Sequence, residues 1–328
     1  TADGRMDIPP SPRGYQHSPS TMTGVDVLGM GGSLLRGLNP SLVSQPPPST
    51  EETGSDVCFV GQDGANDVLC RDLPDGMRNN IGSWYLSPER HAAEMAVVTA
   101  VCVLLMATIL PRLPRRPDPK PGVNALRPPL IIRIISVTFF LLQFGYKYVG
   151  YPGRTLTMLL PCNILWSLHA VLAVHPSLST HAANIIVQIM IPYSGLAAVA
   201  LAVPDTGDCV LPGEVVFFYS HHVALLLFPA YYVGWGGASL QPAHGETHLG
   251  SFARWYGLTC AAFALFYFDV AVPLSVWSGL NLNYMMSPPP TPGDIVGGPN
   301  FRVVSIGCCA VLFLAMRSMA TMAEAGAR

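Results

Sequence analysis

The chain has 328 residues, of which 50% are hydrophobic and only 12% are charged. A typical soluble domain carries about 25% charged residues, so this composition excludes an ordinary water-soluble globular protein. The formal net charge of −2 excludes the basic surface that nucleic-acid-binding proteins need, and we expect no nucleic-acid partner. Eight cysteines in a chain of this length do not indicate a disulfide-rich scaffold.

Residues 1–85 form a polar segment that is rich in Pro, Gly, Ser and Asp. The stretch from Leu38 to Glu52 contains three consecutive prolines and cannot form a packed core. We therefore predict a long, irregular extramembrane arm. Segments of this composition become ordered on binding, so we expect residues 1–85 to contact a partner protein. The chain begins with Thr1, which fits either a removed targeting peptide or a sequence that begins late.

Apolar stretches of about twenty residues recur after Pro88, and a helix of this length crosses a bilayer core of about 30 Å. We predict an all-α integral membrane domain over residues 86–328, with about seven transmembrane helices in contact with membrane lipids. The predicted spans are 91–111, 129–148, 155–174, 183–203, 214–234, 253–278 and 301–320.

The connector between the first two predicted spans, residues 112–127, is strongly basic. It contains Arg112, Arg115, Arg116, Lys120 and Arg127, against the acid Asp118. Basic connectors stay on the cytosolic or matrix side of a membrane. We therefore expect the N-terminal arm on the opposite side.

Polar side chains inside membrane spans are costly, so each of them is a functional candidate. They are Cys162, His169, His221, His222 and Asp269, while Asn281 and Asn283 follow the sixth span. Spans three and five both start on the arm's side, which puts Cys162 and His222 at one depth, about 11–12 Å in. A thiol and an imidazole at one depth can form a nucleophile–base pair. The alternative is an inert core cysteine beside histidines that only link helices.

His169 lies about two turns deeper than Cys162 on nearly the same helix face, so it would reach the thiol only through a bridging group. Asn283 is expected at the mouth of the same cavity. His244 and His248 have a spacing that resembles a zinc pair, but Gly245 and the lack of a helical pattern argue against a metal site. We predict no cofactor and no metal.

Several short motifs follow one another in a fixed order. They are Gly145-Tyr146-Lys147-Tyr148, then Leu160-Pro161-Cys162 with His169, then Tyr219-Ser220-His221-His222-Val223 with Pro229 and Tyr231, and finally Asn281-Leu282-Asn283-Tyr284-Met285 with Pro288. This ordered set, over roughly residues 85–320, resembles the transmembrane protein 164 family. Where that family has Asn before the Pro-Cys pair and His after it, this chain has Leu160 and Asn163.

Members of that family look like seven-span acyltransferases. The resemblance implies an acyl-cysteine intermediate that moves a polyunsaturated acyl chain between phospholipids and favours ether lipids as acceptors. By position, it makes Cys162 the nucleophile, His222 the base and His169 a supporting catalytic group. Asn283, His221 and Asn163 would then line the substrate site.

Two functions from different classes remain open at this point. The first is a cysteine-dependent phospholipid acyltransferase of an endomembrane. The second is a non-catalytic accessory subunit of a large respiratory or photosynthetic complex, anchored through its N-terminal arm. The second would place the chain in the mitochondrial inner membrane or a plastid membrane.

Overall fold

The computed structural model describes residues 27–38, 86–113, 128–150, 155–175, 180–204, 206, 209, 211–235, 238, 240, 247–278, 280–286 and 300–326. Ten α-helices lie within these ranges. They are α1 Val27–Leu38, α2 Pro88–Ile109, α3 Leu130–Gly150, α4 Pro161–Val174, α5 Thr180–Tyr193, α6 Gly195–Ala202, α7 Glu214–Gly234, α8 His248–Leu265, α9 Val272–Ser278 and α10 Phe301–Gly326.

In the part of the chain that the structure describes, six helical segments are long and apolar enough to cross a membrane. They are Pro88–Arg112, Leu130–Val149, Ala182–Ala202, Glu214–Gly234, His248–Ser278 and Phe301–Gly326. These segments coincide with six of the predicted spans, and they confirm an all-α integral membrane protein.

The predicted span 155–174 is not one continuous helix. It consists of a 3₁₀ segment, Thr155–Leu159, followed by α4, which has only 14 residues. The break lies at Pro161, because proline favours the first position of a helix and holds the residue before it, Leu160, in an extended conformation. At 1.5 Å per residue α4 alone is about 21 Å long, shorter than a bilayer core.

The segment 155–174 nevertheless runs beside the whole of α3. Arg133, near the start of α3, donates from Nε to the Ala173 carbonyl at the end of α4, at 2.7 Å. The 3₁₀ segment packs against α3 as well, five residues after α3 ends. In the described part of the chain, this shorter apolar segment thus lies beside the six long ones, and it reaches its length by joining a 3₁₀ segment to a short helix.

The centre and the edge of the bundle differ in burial. In the most apolar stretch of Ala182–Ala202 and of His248–Ser278, half of the residues are buried inside the protein. In Pro88–Arg112 and Phe301–Gly326 the buried share is only 11%. The main core contains Trp166, Ile191, Leu225, Phe268 and Phe313. The outer helices expose valine and leucine side chains over most of their length, as expected of surfaces that contact lipid.

One helix lies within the arm that was predicted to be irregular. Helix α1 packs against the start of α2 and against α9. A side chain at Gly31 would place Cβ 2.8 Å from Ala92 Cβ, so the close approach of the two helices requires glycine there. Arg36 forms an ion pair with Glu89, and Leu35 joins the core. The rest of residues 1–85 lies outside the described part of the chain.

The long segment His248–Ser278 changes its helical geometry in the middle. Residues Phe266–Ala271 form a π-helical turn between α8 and α9. Pro273 follows at the start of α9, where it lacks the N–H that a regular helix would use. The intramembrane carboxylate Asp269 lies in this turn and accepts a hydrogen bond from Thr99 Oγ1 of α2, at 2.7 Å. The hydrogen bond from α2 thus reduces the free-energy cost of placing this carboxylate inside the membrane.

Candidate functional site

Cys162 stands at the start of α4. Pro161 occupies the first helical position and Cys162 the second, with Leu160 as the N-cap residue. The first N–H groups of a helix carry a partial positive charge that favours a nearby anion. The Cys162 side chain is only partly buried. The thiol therefore lies where a thiolate is stabilised and a reactant can approach.

His221 and His222 lie on the neighbouring helix α7, and both are buried. His222 Nδ1 lies 2.7 Å from the Phe218 carbonyl oxygen, one helical turn earlier. A carbonyl only accepts hydrogen bonds, so this contact fixes the proton on Nδ1 and leaves Nε2 of a neutral His222 as a proton acceptor. His222 Nε2 faces His221 Nε2 at 3.4 Å.

The thiol and both imidazoles meet in one cluster. Cys162 Sγ and one ring nitrogen from each histidine all lie within 4.8 Å of one another. The Cys–His cluster is our name for Cys162, His221 and His222. It joins the start of α4 to the first half of α7. The spacing of the spans predicts that Cys162 and His222 lie at the same depth in the membrane. A thiol beside a neutral imidazole is the arrangement that general-base activation of a nucleophile requires.

Aromatic packing holds α4 against α7 below the cluster. Trp166 packs edge-on against Phe228, with ring centroids 5.6 Å apart. His169 stacks on Tyr232 at 5.7 Å and contacts the Phe228 ring at 5.1 Å. Tyr232 Oη lies 3.5 Å from His169 Nδ1. The His169 side chain is thus embedded among aromatic rings and is not part of the Cys–His cluster.

The two asparagines predicted beside the site have structural contacts of their own. Asn163 donates from Nδ2 to the Thr157 carbonyl at 2.7 Å, which fastens the 3₁₀ segment to the start of α4. Asn283 lies in the short 3₁₀ turn Leu282–Tyr284, which packs against the segment Thr155–Leu159 just before Cys162. Asn283 and Tyr284 both have left-handed backbone angles, with φ of 49° and 57°. Strained backbone of this kind is concentrated at functional sites.

The loop before α8, where the sequence predicts no metal site, lies largely outside the described residues. His244 and Glu246 lie outside the described residues, and His248 begins α8 as an exposed side chain. A surface groove lies elsewhere, along α1 and beside Glu89. Among the residues that the structure describes, the Cys–His cluster is therefore the group in which nucleophile and base chemistry come together.

Two groups near the cluster were not singled out from the sequence. Tyr267 is buried in the π-helical turn within the core against which Cys162 packs, and its hydroxyl has no hydrogen-bond partner among the described residues. Lys147 at the end of α3 is buried 3.5 Å from Glu214, which begins α7, the helix that carries His221. The sequence signal for the irregular helix around Tyr267 is Pro273. Lys147 belongs to the Gly145–Tyr148 motif, but the motif does not indicate that Glu214 is its partner.

A family model described as the TMEM164 family matches residues 85–320 of this chain. The match covers every helix from α2 to α9 and most of α10, and it includes the whole Cys–His cluster. No solved structure matches the chain.

Proposed function

Because this chain belongs to the TMEM164 family, we propose that it is a membrane-embedded acyltransferase that moves a fatty acyl group between phospholipids through Cys162. The observation that carries the proposal is the meeting of the Cys162 thiol with the buried imidazoles of His221 and His222 within 4.8 Å. The family match was expected from the sequence motifs. The reaction is what the family resemblance implies, and the Cys–His cluster offers the nucleophile and the base that it needs.

The first half of the reaction forms a thioester. His222 Nε2 takes the proton from the Cys162 thiol, and the thiolate attacks the carbonyl carbon of a phospholipid ester. The bond between the acyl carbon and the glycerol oxygen then breaks. His222 returns its proton to that oxygen, and a lysophospholipid leaves.

The second half transfers the acyl group. The hydroxyl of an acceptor lysophospholipid gives its proton to His222 and attacks the thioester carbon. The carbon–sulfur bond breaks, and His222 returns the proton to the departing thiolate. No redox step and no metal is needed, so the two lipids, Cys162 and His222 account for every bond and proton of the reaction.

The surroundings of the cluster fit roles for the remaining predicted residues. In this proposal Asn283 lies at the mouth through which a lipid ester reaches Cys162, the buried Asn163 lies behind it, and His221 lines the acyl-acceptor side. His169 is a positioning residue that keeps α4 packed on α7. Tyr267 is a buried hydroxyl that can donate to the oxyanion of the tetrahedral intermediate. The family resemblance adds polyunsaturated chains as acyl donors and ether lipids as acceptors.

A labelling experiment tests the thioester directly. Vesicles that carry a phospholipid with an alkyne-tagged polyunsaturated chain are expected to transfer the tag to the purified protein, in a form that hydroxylamine removes. Cys162→Ser should abolish the hydroxylamine-sensitive label. Cys308→Ser is the matched control, because Cys308 is an exposed thiol in α10. The proposal fails if Cys162→Ser keeps the thioester label or if the wild-type protein never acquires it.

The second candidate function, an accessory subunit held through the arm, is favoured by one feature of α1. Its outward side chains Met30, Leu34 and Leu38 are exposed although they are apolar. Its inner face is docked on α2 through Gly31. A docked helix with an uncovered apolar face is a surface that a partner protein or lipid would cover.

The arm's role can be tested with two glycine variants of α1. Gly31→Val should displace α1, because the new side chain would overlap Ala92. Gly37→Ala is the control, since a Cβ there meets nothing within 4 Å. If the chain is an accessory subunit, the wild-type and Gly37→Ala proteins migrate with a large particle after gentle solubilisation, and Gly31→Val does not. Migration of the wild-type protein by itself would exclude this candidate.

A further inference from the structure

We propose that Cys162, His221 and His222 also form a binding site for a zinc-type divalent cation. The site is defined by three donor groups on two helices whose ligand atoms lie within 4.8 Å of one another. The sequence predicted no metal here, because Cys162 and His221-His222 are separated by some sixty residues and show no metal-ligand spacing. The cation site does not depend on the acyltransferase proposal, although it uses the same side chains.

The distance between the two imidazoles fits a shared cation. His221 Nε2 and His222 Nε2 are 3.4 Å apart. Two nitrogens that bind one zinc ion at about 2.0–2.1 Å in tetrahedral geometry lie about 3.3–3.4 Å from each other. As a hydrogen bond the same contact is long, because N–H donors favour separations of about 2.9–3.0 Å. The two rings therefore already have the spacing of a ligand pair.

The thiol completes three of the four positions. With a zinc–sulfur distance of about 2.3 Å, a tetrahedral site needs sulfur about 3.6 Å from each nitrogen. The present separations are no greater than 4.8 Å. A change in the Cys162 side-chain rotamer would move the sulfur far enough to shorten these separations to the required distance. The fourth position would remain open, as in catalytic zinc sites, and would face the partly exposed side of Cys162.

The surroundings of His222 match those of a metal-binding histidine. Its Nδ1–H donates to the Phe218 carbonyl at 2.7 Å. A backbone carbonyl in this position is a common second partner of zinc-bound histidines, because it fixes the tautomer and aims the free nitrogen at the metal. His221 Nδ1 is buried without a hydrogen-bond partner among the described residues. The backbone contact of His222 is therefore the one that a zinc-bound histidine needs, whereas His221 Nδ1 has no such partner there.

The donor set indicates the class of cation. One thiolate and two imidazoles suit zinc or a similar transition metal, whereas magnesium and calcium require oxygen ligands. The thiolate neutralises half of the cation's charge. The nearby Lys147 ammonium is already paired with Glu214, so its repulsion of a bound cation is reduced. The cation would also link α4 to α7, the two helices that carry the cluster.

Bound metal and acyl transfer exclude each other at this site. A thiolate that shares its lone pair with a cation is a poorer nucleophile, and the metal removes Nε2 of His222 as a proton acceptor. This consequence rests on the proposed function. We expect zinc to suppress the acyl labelling of Cys162 and a chelator to restore it.

Cobalt binding tests the site without reference to activity. The full-length protein in detergent, titrated with Co²⁺, is expected to show a thiolate-to-cobalt charge-transfer band and the visible bands of tetrahedral cobalt, both displaced by Zn²⁺. Cys162→Ser should remove the charge-transfer band. His222→Asn, which keeps a donor to the Phe218 carbonyl, should weaken zinc binding by more than the roughly 10–100-fold that loss of an outer partner causes. Cys308→Ser should bind as wild type does.

The outcomes separate the two proposals. A thiolate–cobalt band that is absent from the wild-type protein, or that persists in Cys162→Ser, overturns the cation site. Cobalt binding at Cys162 in a protein that never acquires the acyl label supports the cation site and overturns acyl transfer. Acyl labelling of Cys162 without any cobalt binding does the reverse.

Discussion

Replacing His222 by asparagine is expected to lower the rate of acyl transfer by about 10²–10⁴-fold, the usual contribution of a general base. Asparagine keeps an N–H that can donate to the Phe218 carbonyl, as His222 Nδ1 does at 2.7 Å. It removes Nε2, the nitrogen that faces the cluster. The variant therefore takes away the base while preserving the contact that holds this side chain in place.

The neighbouring histidine provides the matched control. His221→Gln leaves an amide that can still donate to His222 Nε2, the contact that His221 Nε2 makes at 3.4 Å. If His222 is the base, His221→Gln retains most of the rate and His222→Asn loses it. The rates would be measured as single-turnover transfer of a tagged acyl chain from vesicles to the protein, which isolates thioester formation. A larger loss in His221→Gln than in His222→Asn would reassign the base.

The membrane spans could be predicted because a single physical constraint governs them. A bilayer core demands about twenty apolar residues per helix, and six segments satisfy that demand with continuous helices. The exception is residues 155–174, where Pro161 divides the crossing into a 3₁₀ segment and α4. Hydropathy gives the total apolar length of a segment and does not show whether its helix is continuous. It was nevertheless the proline that placed Cys162 in the first turn of a helix.

Part of the site could be predicted from the depth of its residues along their helices. Cys162 and His222 were expected at one level on two helices, and their side chains meet there. His169 was expected about two turns deeper, and it lies among Trp166, Phe228 and Tyr232. What depth does not supply is rotation about the helix axis. The convergence of both adjacent histidines on one thiol depends on that rotation, which only tertiary packing fixes.

Features that depend on local backbone geometry were outside the reach of sequence patterns. Helix α1 lies in a glycine-rich stretch with low helix propensity, and it is held by its packing on α2 and α9. The left-handed angles of Asn283 and Tyr284 are maintained by the surrounding structure. They could not be predicted from the sequence, because neither residue is a glycine. The π-helical turn around Tyr267 likewise alters which side chains face the core.

The largest effect on stability is expected from Arg302→Met, which should lower the free energy of unfolding by about 3–5 kcal/mol, the range for breaking a buried ion pair. Arg302 is only 2% exposed and lies at the start of α10, with Nη2 2.6 Å from Glu94 Oε2 of α2. It also donates to the Met285 carbonyl at 3.4 Å and lies over the Phe268 ring at 5.6 Å. One side chain thus connects two helices to the residue that follows the Leu282–Tyr284 turn.

Arg90 offers an internal comparison, because it pairs with the same carboxylate from a more exposed position. Its Nε lies 2.9 Å from Glu94 Oε1, and its side chain is 37% exposed. Arg90→Gln is expected to cost only about 0.2–1 kcal/mol, since water screens the lost charge. Equilibrium unfolding in detergent micelles would measure both variants, and equal losses would contradict the assignment of the larger effect to burial.

The double variant Arg302→Met with Glu94→Met separates pairing from packing. If the loss in Arg302→Met comes from a partly buried carboxylate that keeps only the exposed Arg90 as its partner, removing that carboxylate should recover a substantial part of the stability. If packing around Phe268 is the cause, the two losses should simply add. Because Arg302 links α2 and α10 to Met285, the residue after the Leu282–Tyr284 turn, recovery of stability in the double variant should be accompanied by recovery of Cys162 acylation.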